Sequence, residues 1–135
     1  VVDFGTALTL TITDSKGIIQ GVDIAPGLRT AIYALASNTA QLPIVPLEAP
    51  PSTLGSTTKE AMQAGVVLGY KGLVEYLIKQ VKIDLQNKTG DKIEDIRVIA
   101  TGGLATMIQK ESKTIDRIDH FLTLTGLRVL YERNK

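Results

Sequence analysis

Residues 8–13 alternate Leu8, Leu10 and Ile12 with Thr9, Thr11 and Thr13, the two-residue period of a strand with one buried face. This run follows Val1-Val2-Asp3-Phe4-Gly5 through a Gly-Thr turn, and Asp14-Ser15-Lys16-Gly17 supplies a second turn before Ile18 to Ile24. Strands joined by turns this short predict an antiparallel three-strand meander. Pro26-Gly27 breaks it, and Leu28, Ile32, Leu35 and Thr39 then recur at helical spacing, one face of an amphipathic helix. Pro43, Pro46, Pro50 and Pro51 surround Ile44-Val45, which predicts a short edge strand and an irregular loop. Thr57 or Thr58 is placed to cap a long helix, since Met62, Val66, Leu73, Leu77, Val81 and Leu85 trace a stripe ending near Asn87-Lys88-Thr89-Gly90. Ile93 to Ala100 reads as a central strand, Thr101-Gly102-Gly103 as a tight turn, and Leu104 to Lys110 as a short helix. Leu124, Leu127, Leu130 and Tyr131 predict a closing amphipathic helix with a basic, polar tail.

Gly65, Gly69 and Gly72 lie close to one face of the long helix. Each costs about 1 kcal/mol against alanine in a helix interior, so the trio predicts backbone pressed against another helix or a partner subunit. A chain of 135 residues supports one core and is short for two. Its 15 basic and 14 acidic residues leave a net charge of +1, which gives no electrostatic footprint for a nucleic acid or an anionic membrane. With no cysteine and His120 as its one histidine, it has no disulfide framework and no thiolate or histidine zinc centre. Gly, Thr or charge interrupts every apolar stretch before spanning length, so neither a membrane span nor an export leader is expected, and cytoplasmic residence fits. The sequence opens on Val1, inside a strand pattern and without an initiator Met, so we expect a fragment of a longer protein.

Four segments carry candidate chemistry. Asp3-Phe4-Gly5-Thr6-Ala7 combines a glycine, which lets backbone N–H groups approach a phosphate, with a hydroxyl donor and a carboxylate able to hold a metal ion or its water. A plain hairpin accounts for the same residues. Thr101-Gly102-Gly103 stands between a strand and a helix, where a flat ring or a phosphate can meet bare backbone, or where the chain simply turns. Gly21 to Gly27 ends a strand in a rigid Pro-Gly corner that is either a turn or a small-ligand contact. Gly55-Ser56-Thr57-Thr58 offers hydroxyls at a helix start, where capping alone explains them. His120 beside Asp119, and the Asp91, Glu94 and Asp95 group, read as surface residues.

The strand-strand-strand-helix opening excludes a doubly wound dinucleotide fold, whose parallel strands need long crossovers. It suits the ribonuclease-H-like half-domain of the actin, Hsp70 and sugar-kinase superfamily, three antiparallel strands followed by alternating helices and strands. The four segments, in this order, resemble type III pantothenate kinases, also known as Bvg accessory factor-like proteins. D-x-G-T-A matches Asp3 to Ala7, G-G-x-I-x-P-G resembles Gly21 to Gly27 with Val22 in place of the second glycine, G-x-x-T matches Gly55 to Thr58, and T-G-G-L-A matches Thr101 to Ala105. The ending Leu122 to Asn134 also fits.

The resemblance implies transfer of the ATP γ-phosphoryl group to pantothenate, the first step of coenzyme A biosynthesis. It implies phosphate contacts at Gly5, Thr6 and Ala7, adenosine contacts at Thr101, Gly102 and Gly103, and pantothenate contacts at Thr58, Ile24 and Gly27. Asp3 would stand at Mg2+ or at a monovalent cation, K+ or NH4+, and a homodimer would form through the helix of Gly65, Gly69 and Gly72. Residues 1–135 would be the C-terminal domain of a two-domain kinase. The family's first phosphate motif, and its G-x-D-R segment with the catalytic base, have no counterpart here, so no catalytic residue is assigned and no turnover is expected of the chain alone. A sugar- or acetate-kinase-like domain, or a degenerate homologue binding a nucleotide or a partner, are the alternatives. Ser56-Thr57 departs from the family's commoner basic-Asn pair.

Overall fold

The structure is a computed structural model describing residues 1–110 and 112–135. Its centre is a five-stranded sheet in the order β3-β2-β1-β4-β5. β1 (Val2–Phe4), β2 (Ala7–Thr13) and β3 (Ile19–Pro26) form the expected antiparallel meander, with Val2 opposite Leu10 and Phe4 opposite Leu8. The alternation along β2 decides the register: Leu8 and Leu10 are buried beside Val2 and Phe4, and the threonines take the other face. α1 (Leu28–Asn38) follows with Leu28 and Ile32 buried, while Leu35 is 37% exposed and Thr39 lies past the helix end.

No strand forms at Ile44-Val45, contrary to the expectation of an edge strand; among the described residues the sheet draws nothing from 43–57. Prolines at 43 and 46 remove backbone donors on either side of the pair. The segment is anchored differently. Val45 is buried in the core, and the buried Gln63 amide donates to the Pro46 carbonyl at 2.8 Å.

The predicted long helix is present but broken in phase. α2 (Thr58–Gln63) and α3 (Gly69–Thr89) are joined by a π-helical turn over Ala64–Leu68. That wider turn shifts the buried stripe, so Val74 and Ile78 are buried where Leu73 and Leu77 were expected, and the latter two only flank the core. Gly65, Gly69 and Gly72 are exposed, and a Cβ on any of them would meet nothing within 4 Å. The expected close approach is therefore not made by any of the described residues of this chain.

After α3, Ile93–Asp95 forms a 3-10 turn, and β4 is confined to Ile99–Thr101, shorter than the predicted strand. The Val98 N–H donates to the Asp116 carboxylate at 2.7 Å, and the Val98 carbonyl accepts from Asp116 at 3.0 Å, so this residue is held by a side chain and a loop. β4 runs parallel to β1, with Asp3 opposite Thr101. α4 (Ala105–Gln109) leads to β5 (Arg117–Ile118), a two-residue strand too short for periodicity to mark.

α5 (Leu122–Arg133) is helical as expected but buries none of its residues; Leu124, Leu127, Leu130 and Tyr131 are all exposed. An apolar stripe facing water adds nothing to the fold. Replacing Leu127 by Ser is accordingly expected to change unfolding free energy by no more than about 0.5 kcal/mol in denaturant titration, where a buried leucine would cost several.

The Asp91 group has a structural use. The Asp91 carboxylate accepts from the Ser15 N–H at 3.1 Å and the Thr89 hydroxyl at 2.8 Å, tying the β2–β3 turn to the end of α3. The Ser15 side chain first, the Thr89 hydroxyl second and the Ser15 N–H third hold its pKa below the ordinary aspartate value. A folded-state pKa that is lowered gives a tie present above the ordinary carboxylate range and lost as pH falls through the lowered value. The Ser15 amide should therefore be protected from hydrogen exchange at neutral pH and lose that protection on acidification well before global unfolding; uniform protection down to the acid transition would contradict this.

Candidate functional site

The β1–β2 connection, Gly5-Thr6, is held from behind by the corner that follows β3. The Thr6 carbonyl accepts both the Gly27 N–H and the Thr30 hydroxyl, each at 2.9 Å. With both lone pairs used, this oxygen is committed to the protein. Gly27 is buried against the turn so closely that a Cβ would overlap the carbonyl oxygens of Gly5 and Thr6. Pro26 is fixed in turn by the Tyr70 hydroxyl, which donates to its carbonyl at 2.6 Å. Removing that hydroxyl in Tyr70→Phe should cost about 1 kcal/mol in denaturant unfolding.

The second glycine turn reaches the same place from β4. Gly102 has φ +94°, and a Cβ there would stand 2.7 Å from the Asp3 Oδ1 and from the Phe4 carbonyl. Asp3 thus lies between the two turns, its Oδ1 3.7 Å from where a Gly5 Cβ would be. Gly5, Thr6 and Gly103 line one open cleft of about 390 Å3, floored by Phe4 and Leu104 and walled on the α1 side by Arg29, Thr30 and Tyr33. Among these lining residues Arg29 is the one with a formal charge.

The other expected site residues divide plainly. Thr101 is buried in β4 opposite Asp3, and Gly102 packs under the cleft; neither is among its lining residues. Ala7 belongs to β2 opposite Pro26, and Ile24 is 74% exposed on edge strand β3. Gly27 supports the turn from behind. Thr58 opens α2 with an exposed side chain, while Thr57 is the cap, accepting from the Glu60 N–H at 3.2 Å. The Glu60 carboxylate reaches back to the Ser56 hydroxyl at 2.6 Å and N–H at 3.0 Å, a reciprocal cap. The Ser56 hydroxyl bond is the chief reason its pKa lies below the ordinary glutamate value. Gly55 belongs to this cap as well, since a Cβ on it would overlap the Ala61 backbone. Arg29 and Tyr33 are not marked by any motif; their signal is the i, i+4 pair on the face of α1 that flanks Leu28 and Ile32.

A mixed sheet with an antiparallel opening, parallel later strands and two glycine turns over one cleft defines a sugar-kinase-like half-domain. A Baf-family protein of known crystal structure from Campylobacter jejuni shares this fold, with a TM-score of 0.62 at 24% identity over 98% of this chain and 56% of that one. Residues 1–80 match the family profile of type III pantothenate kinase. Proteins named type III pantothenate kinase from Citrifermentans bemidjiense and Geotalea uraniireducens are 45% and 43% identical across all 135 residues. The chain belongs to the type III pantothenate kinase family. It spans about half the length of the curated relatives it matches, 50% in each case.

Proposed function

We propose that this chain is the C-terminal, ribonuclease-H-like domain of a kinase that phosphorylates pantothenate with ATP, the first step of coenzyme A biosynthesis. The observation that carries the reading is the convergence of Gly5-Thr6 and Gly103, from separate strands, on one cleft, with the Asp3 carboxylate close to Gly5 and Gly102. Phosphoryl transfer is chiefly positioning and charge stabilisation. A bare glycine turn lets backbone donors meet phosphate oxygens, and Gly103 with Leu104 offers a flat, partly apolar surface to a nucleoside. In this reading Gly5 and Thr6 hold phosphate, Gly103 faces adenosine, and Ala7, Thr101, Gly102 and Gly27 shape the turns that do so. Thr58 and Ile24 are not among the residues lining the cleft, and the pantothenate contacts assigned to them lie beyond it.

Among the described residues no group of three His, Asp or Glu side chains forms a metal cage. Asp3 alone suits Mg2+, an ion usually held by one or two carboxylates and completed by substrate phosphates and water; bound there, it would neutralise phosphate charge. A monovalent cation, K+ or NH4+, would share that corner. Among the described residues no helix is long and apolar enough to cross a membrane; cytoplasmic residence belongs to the proposal and follows from the proposed biosynthetic role.

Two experiments test the assignment. The chain should bind Mg-ATP in calorimetry, and Gly103→Val, whose side chain enters open space, should abolish that binding without unfolding the protein. Substituted for the matched half of the Citrifermentans bemidjiense relative, the chain should give pantothenate-dependent ADP release, with none from the chain alone; a chimera that folds and binds ATP yet ignores pantothenate would refute the substrate. The homodimer is assigned to the exposed Gly65-Gly69-Gly72 face: Gly69→Phe should leave the fold intact and convert a sedimenting dimer to monomer.

A further inference from the structure

The cleft contains a residue that its glycine turns do not explain. Arg29 follows Leu28 as the second residue of α1, a helix with no acidic residue in its first turn and no side-chain cap at Gly27. A cation there has the wrong sign for the helix dipole. The guanidinium makes no ion pair among the described residues, and Arg29 is exposed and lines the cleft together with Thr30, Gly5 and Thr6. The backbone that carries it is fixed, because the Thr30 hydroxyl and the Gly27 N–H pin the start of α1 to the Thr6 carbonyl at 2.9 Å each. A cation without an ion pair, carried by backbone pinned to the Gly5-Thr6 turn and with no carboxylate among the described residues lining the cleft, is a mismatch that a bound polyanion removes.

We infer that Arg29 binds the polyphosphate of the nucleotide in this cleft, its guanidinium taking phosphate oxygens that the neutral N–H donors of Gly5-Thr6 leave uncompensated. The inference rests on the cleft being the nucleotide site and adds to it the residue that distinguishes ATP from uncharged nucleosides. A planar fork of donors suits this role better than an ammonium.

The test is calorimetric titration of the 135-residue chain with Mg-ATP, adenosine and, separately, pantothenate, for the wild type, Arg29→Met, Arg29→Lys, Gly103→Val and Lys79→Met, a remote cation. Arg29→Met should weaken ATP about tenfold or more, Arg29→Lys less, with adenosine shifted under about twofold and the salt dependence of ATP binding reduced. Removing a wrong-signed charge should leave the melting temperature unchanged or higher. Wild-type ATP affinity in Arg29→Met beside its loss in Gly103→Val would overturn the role of Arg29 while sparing the site. Equal weakening of ATP and adenosine would make Arg29 a structural residue, and loss of pantothenate binding alone would assign it to that carboxylate; either overturns the inference. No ATP binding by the wild type would sink both readings.

Discussion

Replacing Gly27 by alanine should destabilise the chain by about 3 kcal/mol and lower its melting temperature by about 10 °C. The added methyl would occupy space held by the Gly5 and Thr6 carbonyl oxygens, both backbone atoms that cannot rotate away. Either the turn or the start of α1 must move, and the two 2.9 Å bonds to the Thr6 carbonyl go with it, at about 1 kcal/mol each. The conformational gain from removing a glycine from the unfolded chain offsets only about 0.4–1 kcal/mol. Gly21→Ala is the matched control, because that methyl would point into open space. Chemical denaturation of the pair should separate them by more than about 2 kcal/mol; a difference below the error of the method would mean that the corner and the phosphate turn are not in contact.

This contact also shows how far letters alone reach. The meander was legible because Leu8, Leu10 and Ile12 alternate against threonine, a pattern that only a half-buried strand satisfies. The helix stripe was legible up to Val66 and slipped at Val74, since a π turn adds a residue that no periodicity announces. α5 carries the pattern of a buried helix yet lies exposed, because periodicity reports a face seeking cover and is silent about what supplies it. At the site, sequence marked Gly5, Thr6 and Gly103 by turn chemistry. It could not separate Gly27, which acts on the turn, from residues facing the cleft. Arg29 and Tyr33 belong to the site only because the fold makes α1 its third wall.

Gly102→Ala is the second change expected to be severe, through two separable causes. One is conformational: at φ +94° an L side chain pays about 1–2 kcal/mol. The other is contact, since the methyl would come within 2.7 Å of the Asp3 carboxylate and of the Phe4 carbonyl carbon and oxygen. Phe4 is a fully buried core residue and Asp3 pairs with Thr101 across the β1–β4 ladder, so relief requires the two parallel strands to part. Gly90 also has positive φ, at +81°, but open space around it; Gly90→Ala therefore carries the conformational cost alone. The difference between the two variants measures the packing of one glycine turn on the other, and we expect about 2 kcal/mol or more. Equal losses would show that the β4 turn does not lean on β1, and the cleft between Gly5-Thr6 and Gly103 would then have no fixed width for a nucleotide to fit.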